Sequence, residues 1–163
     1  VSESEISGES GEASEEYQAA DAEASESYQA ADAEAMRALG RKLAGSFAAG
    51  DVVILAGALG AGKTTLTQGI ADGLQVRGPV TSPTFVIARV HESMIGGPDL
   101  VHVDAYRLRS LEEVEELDLE TTTGEAVTVV EWGTDRAEFL TDKPIVVAID
   151  RDCQPRTVTV IRA

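Results

Sequence analysis

Residues 52–74 read VVILAGALGAGKTTLTQGIADGL, and three patterns follow one another in them without a gap. Val52, Val53, Ile54 and Leu55 form a continuous apolar run, the pattern of a strand buried on both faces. Leu66, Ile70 and Leu74 recur every four residues, which is the stripe of an amphipathic helix. Between them, Gly57 through Thr64 fits the spacing G-x-x-x-x-G-K-[ST]. Placed between a strand and a helix, that spacing predicts a phosphate-binding loop. Glycines at Gly57, Gly60 and Gly62 let the backbone approach a ligand closely, so that successive N–H groups point inward at phosphate oxygens. The helix N-terminus behind the loop adds unpaired N–H groups and the positive end of its dipole. Lys63 is expected to reach the β- and γ-phosphates, and the Thr64 hydroxyl to ligate Mg²⁺. The stretch therefore predicts binding of a nucleoside triphosphate.

The rest of the composition sets bounds on this expectation. A chain of 163 residues suits one domain. No apolar run approaches the roughly 18 residues a transmembrane helix needs, and the acidic, polar N-terminus does not resemble a signal peptide. The lone cysteine, Cys153, leaves no intramolecular disulfide, which fits a reducing cytoplasm. With only His91 and His102 beside it, a Cys/His metal cluster is excluded as well.

The net charge of −16 is unevenly spread, because residues 1–35 hold eleven Asp or Glu and neither Lys nor Arg. Most of the acidity therefore belongs to one end, and direct, nonspecific nucleic-acid binding, which needs clustered Lys and Arg, is disfavoured. That acidic end carries a tandem repeat, SEEYQAADAEA at 14–24 and SESYQAADAEA at 25–35. Tyr17 and Tyr28 are its only large apolar groups. On composition the segment cannot offset its ordering entropy, so residues 1–35 are expected to be a disordered tail and 36–163 the folded domain.

From Met36 onward, Met36, Leu39, Leu43 and Phe47 mark one helical face. Beyond the loop helix, strands are expected at Thr84–Val90, Leu100–Val103, Val127–Val130, Ile145–Ile149 and Thr157–Ile161, with helices near Leu111–Leu117 and Thr134–Leu140. The alternation predicts an α/β fold, a P-loop NTPase-like three-layer sandwich with a mainly parallel central sheet. Only a short loop separates the strand ending at Val90 from that starting at Leu100, which predicts an antiparallel hairpin.

A phosphate loop needs an acidic partner at the carboxyl end of a neighbouring strand. Asp104 after LVHV, Glu131 after VTVV and Asp150 after IVVAI all qualify, and spacing alone leaves the three open.

Taken in order, GALGAGKTTLTQGIADGL, TSPTF, HVDAYRL and VVEWG resemble the TsaE (YjeE) family of small bacterial P-loop ATPases over roughly residues 36–162. The resemblance implies a component of the machinery that places N6-threonylcarbamoyl on adenosine 37 of tRNA. Such a component binds the TsaB–TsaD heterodimer and hydrolyses ATP to support its turnover, meeting tRNA only indirectly. It implies that Leu59, Gly60, Ala61, Gly62, Lys63, Thr64 and Thr65 hold the phosphates, that Thr64 and Glu131 ligate Mg²⁺, and that Arg156 lies near the nucleotide. Ser82, Pro83, Thr84 and Phe85 resemble a first switch segment, and Asp104, Tyr106 and Arg107 a second. Asp104 becomes the candidate for positioning the attacking water, and Asp150 a structural strand end. Trp132 is placed beside the nucleotide, at the partner surface or in the core. Relatives carry a threonine where this chain has Met36, near the start of a helix that helps form their adenine site.

Two other functions fit a P-loop of this size: a small-molecule kinase and a nucleotide-dependent switch. A kinase lid usually carries several arginines, and here Arg107 and Arg109 are the only local pair. His91 and His102 read as hydrogen-bonded structural residues, and Glu112, Glu113, Glu115 and Glu116 as a solvated acidic face.

Overall fold

The computed structural model describes residues 25–58, 60–81, 88–104, 124–131, 141 and 143–162. In chain order the described elements are β1 (Ser25–Ala30), α1 (Ala33–Ala44), β2 (Val52–Ala56), α2 (Lys63–Leu74), β3 (Ala88–His91), β4 (Asp99–Asp104), β5 (Ala126–Glu131), β6 (Ile145–Asp150) and β7 (Arg156–Arg162). The strands form one seven-stranded sheet in the order β1-β7-β6-β2-β5-β4-β3. Its centre, β6-β2-β5-β4, is parallel. The β3–β4 hairpin is antiparallel, as its short loop predicts, and β7 and β1 run antiparallel to their neighbours at the other edge.

The central position of β2 follows from its composition. All five of its residues are buried, as a strand between two parallel neighbours requires. Val53 and Leu55 face α1 and α2 together with Val127, Val129 and Val147, while Ile54 and Val146 are buried on the opposite face. The helices expected at 111–117 and 134–140 lie outside the described residues. Among the described residues, no helix is long and apolar enough to cross a membrane.

Helices α1 and α2 pack closely enough that their backbones nearly touch. A Cβ on Gly40 would lie 2.5 Å from the Leu66 carbonyl oxygen, and one on Gly73 would lie 2.5 Å from the Ala44 Cβ. This approach brings Met36 of α1 against Gly62 at the start of α2, so the helix pair sets one wall of the loop.

The boundary expected at Met36 is corrected by the second copy of the repeat. Residues 25–30 are strand β1, paired with β7 from Ser25↔Ile161 to Ala30↔Arg156. Ala30 is 1 % exposed, and the Lys42 ammonium sits 4.9 Å from the centroid of the Tyr28 ring. Asp32 then caps α1, its carboxylate accepting from the Ala35 N–H at 2.8 Å. The physical reason is that an edge strand draws on backbone pairing, which side-chain hydrophobicity does not report. Residues 1–24 lie outside the described residues.

Deleting residues 1–30 should therefore cost stability relative to deleting 1–24. With cross-strand pairs contributing about 0.2–1 kcal/mol each, a loss on the order of 2 kcal/mol is expected. In a chain of this size that corresponds to a fall of roughly 4–8 °C in melting temperature. Equal melting of the two truncations would show that β1 adds nothing.

Candidate nucleotide-binding site

Between β2 and α2 the chain turns through the glycine loop, and two of its glycines are required by what surrounds them. A Cβ on Gly57 would stand 2.9 Å from the carbonyl oxygen of Ile149 on β6. Gly62 has φ +113, a conformation L side chains rarely adopt, and its carbonyl accepts the Leu66 N–H to open α2. The loop is braced from β7, where Arg156 Nη1 donates to the Ala61 carbonyl at 2.9 Å. Arg156 thus touches the loop backbone itself. Leu59 lies outside the described residues.

Lys63, only 6 % exposed, turns back into the loop and donates from Nζ to the Gly57 carbonyl at 2.6 Å. Burial lowers its pKa to about 8, and the carboxylates of Glu131 and Asp104 oppose that shift. The cation is held at the mouth of the loop, close enough to both acids to feel them.

Sheet register separates the three carboxylates by face. Leu55, Glu131 and Asp104 are neighbours in one row across β2, β5 and β4, so they share the face that carries α2. On β6, Val147 is the partner of Leu55, and alternation therefore sends Asp150 to the opposite face. Asp150 is exposed and accepts from the Asp152 N–H at 2.9 Å and from Cys153 Sγ at 3.4 Å, closing the turn after β6.

Glu131 is 4 % exposed and its two oxygens are divided between two partners. The Thr64 hydroxyl donates to Oε1 at 3.2 Å. His102 Nε2 lies 2.8 Å from Oε2. Two oxygens bound side by side on an octahedral Mg²⁺ are about 2.9 Å apart, given Mg–O distances of 2.0–2.1 Å. The Thr64–Glu131 spacing fits a shared Mg²⁺ on this count, and a single carboxylate suits an ion that keeps waters and phosphate oxygens as its other ligands. No cluster of three or more His, Cys, Asp or Glu able to hold a metal occurs among the described residues.

Beside the loop opens a cavity of about 190 Å³ lined by Asp32, Met36, Gly62, Thr65, Gln154 and Arg156. Asp32 comes from the repeat assigned to the tail on sequence grounds, and Gln154 from the turn before β7. Asp32 stands near the start of the helix that helps form the adenine site in relatives, whereas Gln154 carries no local sequence signal for such a site. For His102 the sequence predicts a structural role. Its only sequence clue is parity, since it lies two residues before Asp104 on one strand and so shares its face. Ser82, Pro83, Thr84, Phe85, Tyr106, Arg107 and Trp132 lie outside the described residues.

A family model described as "Threonylcarbamoyl adenosine biosynthesis protein TsaE" matches residues 30–158. The chain belongs to the TsaE family. Among its relatives, the tRNA threonylcarbamoyladenosine biosynthesis protein TsaE of Streptomyces coelicolor is 60 % identical over 117 residues, covering 71 % of this chain and 79 % of that one. The TsaE protein of Bacillus subtilis is 42 % identical over 112 residues, covering 68 % of each chain. In the solved structures, Bacillus subtilis YdiB matches with a TM-score of 0.68 at 30 % identity over 85 % of both chains. The TsaE match begins at Ala30, the last residue of β1, and so takes in Asp32 and the cap of α1.

Proposed function

We propose that this TsaE-family chain is a Mg²⁺-dependent ATPase of tRNA N6-threonylcarbamoyladenosine formation, acting on the TsaB–TsaD heterodimer to support its turnover. The observation that carries the reading is the hydroxyl–carboxylate pair of Thr64 and Glu131, 3.2 Å apart at the N-terminus of α2. It sits beside the buried Lys63 ammonium and a glycine loop. In this reading the loop N–H groups and the α2 N-terminus take the phosphates, and Lys63 exchanges the Gly57 carbonyl for β- and γ-oxygens. Thr64 and Glu131 would hold the Mg²⁺, which neutralises charge developing on the phosphates. Asp104, in the row beside Glu131, orients the attacking water. The cavity bounded by Asp32, Met36 and Arg156 receives the adenine.

Measuring ATP consumption in three mixtures tests the proposal: the chain alone, the chain with small-molecule acceptors, and the chain with TsaB–TsaD. Hydrolysis that rises with TsaB–TsaD and yields free phosphate is the expected result. Phosphate appearing on an added acceptor would establish a kinase instead. Nucleotide binding with no turnover in any mixture would leave a switch.

A further inference from the structure

The His102 ring is fully buried, 0 % exposed, on β4. Its Nε2 meets Glu131 Oε2 at 2.8 Å across the β4–β5 ladder, while Glu131 Oε1 takes the Thr64 hydroxyl. A carboxylate only accepts hydrogen bonds, so Nε2 carries a proton and donates it to Oε2. Nδ1 is buried and finds no partner among the described residues. With no Nδ1 partner among the described residues, the polar bond that the His102 side chain makes there is the one to Glu131.

We propose that His102 is a positioning residue, which fixes the plane of the Glu131 carboxylate so that Oε1 stays aimed at the Thr64 hydroxyl, where a divalent cation is to be held. The proposal rests on reading Thr64 and Glu131 as the metal ligands. Glutamate has three rotatable side-chain bonds, and one anchored oxygen removes much of that freedom before a ligand arrives. When a cation takes up the Thr64 hydroxyl and Oε1, the bond to Oε2 is unaffected and the geometry is kept. Partners of this kind behind a metal ligand typically carry a 10–100-fold effect on metal affinity.

The test uses the full chain saturated with ADP and titrated with Mn²⁺, free Mn²⁺ being read from its electron paramagnetic resonance signal. His102→Leu and His102→Asn both withdraw the donor from Oε2, and either should weaken Mn²⁺ binding about tenfold or more, with metal-free ADP affinity within about twofold of the parent. His102→Gln places an amide nitrogen where Nε2 lies and should keep most of the Mn²⁺ affinity. Should His102→Leu not fold, His102→Asn supplies the same reading. A merely structural histidine would lower the melting temperature of the Gln and Asn variants alike and leave Mn²⁺ affinity per folded molecule unchanged, which would overturn the assignment. So would a Gln variant as weak as the Asn one. Glu131→Ala serves as the reference. If it loses Mn²⁺ while His102→Asn does not, only the positioning role is wrong. If it binds Mn²⁺ like the parent, the metal reading of Glu131 fails and the role of His102 fails with it.

Discussion

Replacing Lys63 by alanine should abolish tight nucleotide binding while the chain stays folded. The side chain is buried, and its ammonium rests on the Gly57 carbonyl at 2.6 Å, already inside the loop that is to hold the phosphates. Removing one partner of a buried charge pair costs about 2–5 kcal/mol, equivalent to a loss of about 30- to 4,000-fold in affinity. The depressed pKa adds a second signature. Below about pH 8 the free protein already carries the proton on Lys63, so binding needs no further uptake. Phosphate charge favours the ammonium, so above that pH nucleotide binding must draw a proton from solvent. Affinity should then fall with rising pH, by at most about tenfold per unit. Calorimetric titration with ADP, free of metal, at about pH 7 and pH 9 reads both effects. The parent should weaken at the higher pH, and Lys63→Ala should be weak at both with no slope. Unchanged affinity in the folded variant would remove the loop as the site.

The strand, loop and helix at residues 52–74 were legible because each element there satisfies its own local rule. An unbroken apolar run marks β2, a stripe every four residues marks α2, and the glycines stand where φ or close packing requires them. β1 was not legible, because what holds it is a backbone ladder to β7 on the far side of the sequence. Only Tyr28 and Ala30 of its six residues turn toward the core, too short an alternation to detect. The same limit applied to the acids. Asp104, Glu131 and Asp150 each end an apolar run, and local pattern could not rank them. The order β6-β2-β5-β4 and the parity along each strand place the first two on one face and the third on the other. His102 shows how a residue's meaning depends on its neighbour strand. The expectation of a hydrogen-bonded buried histidine agrees with the structure, but its partner is a carboxylate on β5 rather than a scaffold group. Nothing in the sequence states that β4 and β5 are adjacent.

Asp104→Asn should retain nucleotide binding and lose hydrolysis, since the amide keeps the shape of the side chain and removes its charge. Asp104 pairs with Glu131 in the row that faces α2, and its charge acts on Lys63. A carboxylate there can hold a water for in-line attack without being a strong base, because hydrolysis at such a site rests on positioning and charge stabilisation. Loss of the group that takes or orients the water's proton is expected to slow single-turnover hydrolysis about 100-fold or more. Binding at pH 7 should change little, because bound phosphate itself favours the Lys63 ammonium and Asp104→Asn leaves the loop intact. On the proposed function, the loss should be largest with TsaB–TsaD present. If Asp104 instead only braces the end of β4, the same variant should melt at lower temperature and keep its turnover per folded molecule. Single-turnover hydrolysis and melting measured on one preparation separate the two. Full partner-stimulated hydrolysis by Asp104→Asn would remove it from the reaction and leave Glu131 as the only acid of the row with a role in turnover.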